Sequence, residues 1–359
     1  MTTSTGTAVG NGTIDAEVHC TPATIAELVP YLDPYWRTYV LEGGLTISAA
    51  QGGAYPPQAP TSATPAARSA GAFPAREAAD VRARVLDPGR LRAAVLVCTA
   101  SFTSNRNPYY EAALTRAVND WLIAEWLDSD ERLRASMVVP TLDTDAAVAE
   151  IERIGDHPGI VQVVLPVRTD APWGNKRHRA LLRAAAEHDL VVGLHAWGRT
   201  GNAATPSGIT HSYLEDYLAN SQIIVQAQVA SLVTEGVFAE LPRLRVALLE
   251  CGFSWLPALM WRFDKDWKGV WREVPWLDAK PSDIVRRHVR LTSTPAQLPR
   301  DPVQVRQFLD TFDAGAMLMY ASDHPHDHGS GHERLLSALS PAETEAVLAG
   351  NAAGWYALG

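Results

Sequence analysis

The sequence predicts an α/β protein closed into a parallel (β/α)8 barrel of the TIM type. Three observations carry that prediction. Short apolar runs of strand length alternate with helical stretches through most of the chain, giving eight strand candidates. The 359 residues suit one barrel with insertions. Acidic and imidazole side chains recur at the C-terminal ends of the strand candidates, the face on which such barrels assemble their chemistry.

Taken in order, residues 1–12 read as a loose Thr- and Gly-rich tail, and residues 13–359 as one domain. Thr13 to Val18 alternates and ends at His19, so the first strand sets Asp15, Glu17 and His19 on one face. Residues 20–90 form a long insertion, with an aromatic part around Tyr31 to Trp36 and a Pro/Ala/Gly/Ser-rich passage from Ala49 to Ala72, and a segment of that length suits either a lid over the substrate or a surface-packed helix with a loose linker. A second strand spans Ala93 to Thr99, and a helix spans Pro108 to Leu127 with Trp121 and Trp126 in the core. Further strands are expected at Ala135 to Pro140, Ile160 to Pro166, Val191 to His195, Val246 to Glu250, Val289 to Thr292 and Met317 to Ala321. Helices fit at Thr144 to Gly155, Lys176 to His188, Tyr213 to Phe238 and Pro302 to Phe312.

Composition narrows the function. Hydrophobic residues make up 47% and charged residues 20%, as in a globular protein, and no apolar run spans a bilayer. The tail lacks the basic and apolar regions of a signal peptide, which predicts a cytoplasmic protein. Cys20, Cys98 and Cys251 are too few and scattered for a disulfide framework and suit buried spacers. A formal charge of −9 argues against nucleic acid and leaves a small molecule as the expected partner, with assembly into a homo-oligomer also compatible.

The chemistry is expected at the strand ends. Glu17 and His19 end the first strand, His195 the fifth, Glu250 the sixth, and Asp323 follows the apolar run of the eighth in Ser322-Asp323-His324-Pro325-His326-Asp327-His328. A barrel gathers these ends at one mouth, and converging carboxylates and imidazoles suit zinc, manganese or iron. Trp197, Phe253 and Trp255 flank that mouth and suit an apolar, multi-ring or acyl substrate. Arg106 and Arg168, just after the second and fourth strands, are candidates for holding an anionic part of it. Trp261 is expected on a core-facing helix.

The order of Glu-x-His, a mid-chain Gly-x-His, the segment Glu250-Cys251-Gly252-Phe253-Ser254-Trp255-Leu256-Pro257 and a late Ser-Asp-x-Pro-His resembles the amidohydrolase-related family, whose members include metal-dependent decarboxylases. The resemblance runs from Ile14 to the closing Gly350-Asn351-Ala352-Ala353. It implies metal ligation by Glu17, His19, His195 and Asp323. Two departures stand out. A carboxylate, Glu250, occupies the sixth-strand place where many relatives carry a histidine, and the fourth strand ends Leu165-Pro166-Val167-Arg168 without the lysine that bridges two metals in dinuclear hydrolases.

With His326 added to that set, the carboxylate-rich pattern resembles the diiron monooxygenase branch of the same fold. The leading expectation is therefore two irons held by Glu17, His19, His195, Glu250, Asp323 and His326, with Glu250, Asp323 and His326 as catalytic groups, using molecular oxygen to hydroxylate an apolar terpenoid or acyl-type molecule of secondary metabolism. The alternative is a decarboxylase or hydrolase with one zinc or manganese, in which Glu250 or a histidine of the last loop acts as general acid/base.

Overall fold

A computed structural model describes residues 12–45, 75–98, 106–198, 208, 212–326 and 328–359. Eight parallel strands pair in chain order: β1 (Ile14–His19), β2 (Ala93–Val97), β3 (Leu133–Val138), β4 (Ile160–Arg168), β5 (Val191–Gly198), β6 (Val246–Leu249), β7 (Val289–Thr292) and β8 (Leu318–Met319). The barrel closes along the seam of β8 and β1. There Ala16 N donates to Tyr320 O at 2.8 Å, His19 N donates to His324 O at 2.8 Å, and Val18 bridges His324 in parallel. The strands are apolar and buried along nearly their whole length, as expected of a parallel sheet with helices outside and packed side chains within.

Helices follow the strands as the sequence predicts, with informative differences at their ends. The expected helix from Pro108 is an α-helix, Pro108–Trp121, started by the Asn107 side chain and prolonged by a wide turn at Leu122–Trp126; Trp121 and Trp126 are buried in the core. The single helix expected over Tyr213 to Phe238 is broken: a wide turn at Ala219–Ile224 leads into Val225–Thr234, and Gly236 at φ +71° separates the short helix Val237–Glu240. Only a residue without a Cβ adopts that left-handed conformation at no steric cost. Strand β8 is shorter than its apolar run, because Met317 closes a helical turn, Ala314–Met317, and Tyr320 N donates to Val347 O instead of continuing the ladder.

Trp261 overturns its expectation. It is 61% exposed, because the helix Leu256–Val270 turns Leu256 and Met260 toward the core instead. The three cysteines are free and buried, as expected of spacers.

In the insertion, the Ala49 to Ala72 passage lies outside the described residues. The helix Pro34–Gly43 is capped by Asp33, whose side chain accepts from Trp36 N. Its Trp36 and Tyr39 rings lie 5.3 and 5.4 Å from Tyr110 of the Pro108–Trp121 helix. The aromatic part of the insertion thus packs on the first turn of the helix that follows β2.

Candidate metal centre

The strand ends place each candidate ligand by a local departure from regular strand. In β1 the register against β2 shifts between Asp15 and Val18, so Ala16 and Glu17 sit in a bulge, a device that re-aims side chains at barrel rims. Strand β6 stops at Leu249 because Glu250 takes a left-handed conformation, φ +55°, and Asp323 after β8 does the same at φ +54°. Such backbone costs a non-glycine residue on the order of 1 kcal/mol and persists where neighbours over-determine it. The neighbours are evident. Glu250 N donates to Glu17 Oε2 at 3.2 Å and to Thr292 Oγ1 at 3.1 Å. Asp323 N donates to Glu17 O at 3.1 Å, while His326 N donates to Asp323 O at 2.8 Å.

The side chains converge. Among the described residues, donor atoms of His19, Glu250, Asp323 and His326 lie within 4.8 Å of one another, as do those of Glu17, His19 and His195. His19 Nε2 is 2.8 Å from Asp323 Oδ1, His195 Nε2 is 3.0 Å from Glu17 Oε1 and 3.7 Å from Glu250 Oε2. Asp323 is also approached by His326 Nδ1 at 3.2 Å and by His328 Nε2 at 2.5 Å. His19 lies close to both neighbouring imidazoles, edge-on to His195 with ring centroids 5.3 Å apart and tilted against His326 at 4.5 Å.

Whether these residues fit a cation is answered by their unmet bonding. Glu17 Oε1, His19 Nε2 and both ring nitrogens of His195 are buried without a partner in hydrogen-bond geometry, despite contacts near 3 Å. Buried polar atoms are ordinarily satisfied. One carboxylate and two imidazoles whose donor atoms converge, with Asp323 and Glu250 beside them, match a hard-to-borderline divalent ion.

The electrostatics agree. Burial, reinforced by the charge of Asp323, pushes the Glu17 carboxyl well above its ordinary range and lifts Glu250 to about 7. Burial, with His326 nearby, lowers His19 to about 4, and burial likewise lowers His195. Neutral imidazoles are the ligating form. Asp323 goes the other way: burial would raise it, but His326, His19 and His328 outweigh that and hold it well below the usual carboxylate value. Burial opposes protonation of His326, yet Asp323 lifts it to about 9.

The flanking residues divide. Trp197 is buried with its ring edge-to-face 5.1 Å from His195. Trp255 Nε1 donates to Cys251 O at 3.0 Å. Phe253, expected at the mouth, is wholly buried against Phe308 and Phe312, because the left-handed pair Glu250 and Gly252 turns the chain away and sends the ring outward into the helix layer. Arg168 pairs with Asp216 and lies over Gly198, where an added Cβ would strike its side chain. Arg106 is exposed just before the Pro108–Trp121 helix. Sequence reasoning gave no role to two supporting groups: Thr292, which holds Glu250 N, and Asp15, whose Oδ1 accepts from Glu17 N and Ser322 N. Asp15 left a signal, its place on the ligand face of the first strand, and among the last-loop histidines His328 is the third imidazole on Asp323, beside His19 and His326.

A parallel eightfold barrel with carboxylates and imidazoles gathered at the C-terminal ends of β1, β5, β6 and β8 defines a metal-dependent barrel enzyme. The chain belongs to the amidohydrolase family, whose profile matches residues 14–358. Among solved structures it is similar to 5-carboxyvanillate decarboxylase from Novosphingobium aromaticivorans, with bound manganese, at 18% identity over 99% of each chain and a TM-score of 0.72. It is also similar to 2,6-dihydroxybenzoate decarboxylase from Rhizobium, at 17% identity over 97% of this chain and 99% of that one, TM-score 0.67. A third is a dihydroxybenzoic acid decarboxylase from Polaromonas holding manganese and 2-nitroresorcinol, at 17% identity over 97% and 98%, TM-score 0.65. No curated protein matches.

These findings correct the leading expectation. The solved structures similar to this chain include decarboxylases and amidohydrolases, and the two named above with a stated metal hold manganese, so the diiron monooxygenase reading, with its two irons and its use of oxygen, is overturned. In the carboxylate-rich pattern that suggested it, Asp323 is bonded by the imidazoles of His326 and His328, and Glu250 sits beside it as a buried carboxyl of raised pKa. Among the described residues, no helix is long and apolar enough to cross a membrane.

Proposed function

We propose that this protein is a non-oxidative decarboxylase of a small aromatic hydroxy acid, dependent on one divalent manganese or zinc ion held by Glu17, His19, His195 and Asp323. The observation that carries the reading is the convergence of partnerless donor atoms from Glu17, His19 and His195, with Asp323 joined to them through His19, beside a buried carboxyl, Glu250, that has no arginine or lysine partner in the contacts described. The decarboxylase structures named above support the choice of reaction.

When bound, the ion supplies a Lewis-acid centre that fixes substrate oxygens and stabilises developing negative charge. The chain's own residues do the rest. Glu250, raised to about 7, keeps a proton near neutrality and is placed to deliver it to the ring carbon that bears the carboxylate. The C–C bond to the carboxylate then breaks with release of CO2, the new C–H bond carries the proton, and solvent returns a proton to the Glu250 carboxylate. His326, kept cationic by Asp323, offsets negative charge in the mouth. Trp197, edge-to-face with His195, would provide a flat apolar wall suited to an aromatic ring, and Arg168 or Arg106 would serve the substrate's anionic group.

The test is direct. Protein loaded with Mn2+ or Zn2+ is incubated in D2O with a panel of ortho-hydroxybenzoates, and products are identified by mass spectrometry. One CO2 lost and one deuterium gained at the vacated carbon is the expected result. Turnover of amides or lactones, with every aromatic acid left intact, would replace the reading by a hydrolase.

A further inference from the structure

The barrel seam contains a side chain that ties two of the candidate ligands together. Asp15 is fully buried in β1, two residues before Glu17. Its Oδ1 accepts from Glu17 N at 3.2 Å and from Ser322 N at 3.0 Å. The first amide belongs to a ligand of β1, and the second belongs to the residue just before Asp323, a ligand of β8.

The place is not accidental. Regular ladder pairing fails here on both sides: the β1–β2 register shifts between Asp15 and Val18, and β8 ends at Met319, four residues short of Asp323. Beyond Ala16 N to Tyr320 O, the seam continues only through Asp323 N to Glu17 O and His19 N to His324 O. Between those bonds one carboxylate oxygen stands in for a backbone acceptor and fixes the spacing of Glu17 against Ser322. Asp15 Oδ2 has no partner in hydrogen-bond geometry. The two amides are thus held by the same oxygen, with the Ser322 side chain as a further neighbour of the carboxyl.

We infer that Asp15 is a positioning residue of the metal centre, setting the geometry of Glu17 and Asp323 across the β1–β8 seam by accepting both backbone amides on one oxygen. This rests on the reading of Glu17 and Asp323 as ligands. Groups that orient ligands typically change metal affinity about 10- to 100-fold when removed. An asparagine keeps an acceptor oxygen at the same reach, whereas a glutamate keeps the charge but displaces the oxygen by one methylene.

The test measures Mn2+ affinity by titration followed through the electron paramagnetic resonance of free Mn2+, for the wild type, Asp15→Ala, Asp15→Asn and Asp15→Glu. Circular dichroism checks each fold. Binding by the wild type, a loss of about 10- to 100-fold in Asp15→Ala and in Asp15→Glu, and near wild-type affinity in Asp15→Asn are expected. Should Asp15→Ala not fold, the Asn and Glu variants still decide. Equal affinity in all variants, or an Asn variant weaker than the Glu variant, would overturn the inference, the latter showing that charge and not acceptor placement matters. A wild type that binds neither Mn2+ nor Zn2+ would instead remove the metal centre on which the inference stands.

Discussion

His195 Nε2 and Glu17 Oε1 face each other across the barrel mouth at 3.0 Å, from β5 and β1, and neither has a partner in hydrogen-bond geometry. A buried imidazole and carboxylate this close without a bond are arranged for a third party. Replacing His195 by Ala should therefore lower bound metal, measured by elemental analysis, by at least about 100-fold in affinity, since a ligand matters more than the groups around it. Far-UV circular dichroism should stay unchanged, because the barrel core lies below the mouth. Full metal occupancy in the variant would remove His195 from the ligand set.

Glu250→Gln separates proton transfer from ligation. The amide preserves size but cannot deliver a proton, so turnover should fall about 10²- to 10⁴-fold while metal content holds at one ion per chain. A parallel loss of metal would make Glu250 a ligand.

The metal-free protein should become less stable as the solution turns alkaline. Glu250 and Asp15 titrate at about 7 in the fold, above ordinary values of 4.5 and 3.8, and His326 at about 9, above 6.5. Each raised value means that the native state holds its proton more tightly than the unfolded chain. The stability these groups contribute is thus complete below their unfolded values and lost as pH rises through 7 and then 9. Asp323, held low, acts oppositely, but its contribution is already complete by about pH 5. Thermal melts with a chelator should fall between about pH 6 and pH 9, and saturating Mn2+ should restore the lost stability, by about 3 kcal/mol at a hundredfold excess over its Kd. Chelated melts that are flat or rising across this range would contradict the assigned shifts.

Phe253→Ala should cost about 3–5 kcal/mol in denaturant unfolding and leave metal affinity unaltered, since the ring is packed on Phe308 and Phe312. A raised KM for the aromatic acid with unaltered stability would return Phe253 to the mouth.

Much of this protein was legible in its residues. Strand-length apolar runs are long-lived signals in a parallel barrel because both faces of each strand are covered, so the eight strands and their order followed from periodicity alone. The convergence of Glu17, His19, His195 and Asp323, the proposed ligands, was legible for the same reason, since a strand's C-terminal end in this fold has one place to face. What periodicity does not encode is the backbone just past a strand. The left-handed turns at Glu250, Gly252 and Asp323 send Phe253 into the core, bring Glu250 N onto Glu17, and decide that His326 and His328, more than His324, meet Asp323. Likewise the second amide on Asp15, from Ser322 N, exists only once the chain beyond β8 closes on β1. Those conformations are held by contacts between residues as far as 307 positions apart, whereas sequence patterns report only on neighbours within a turn or a strand.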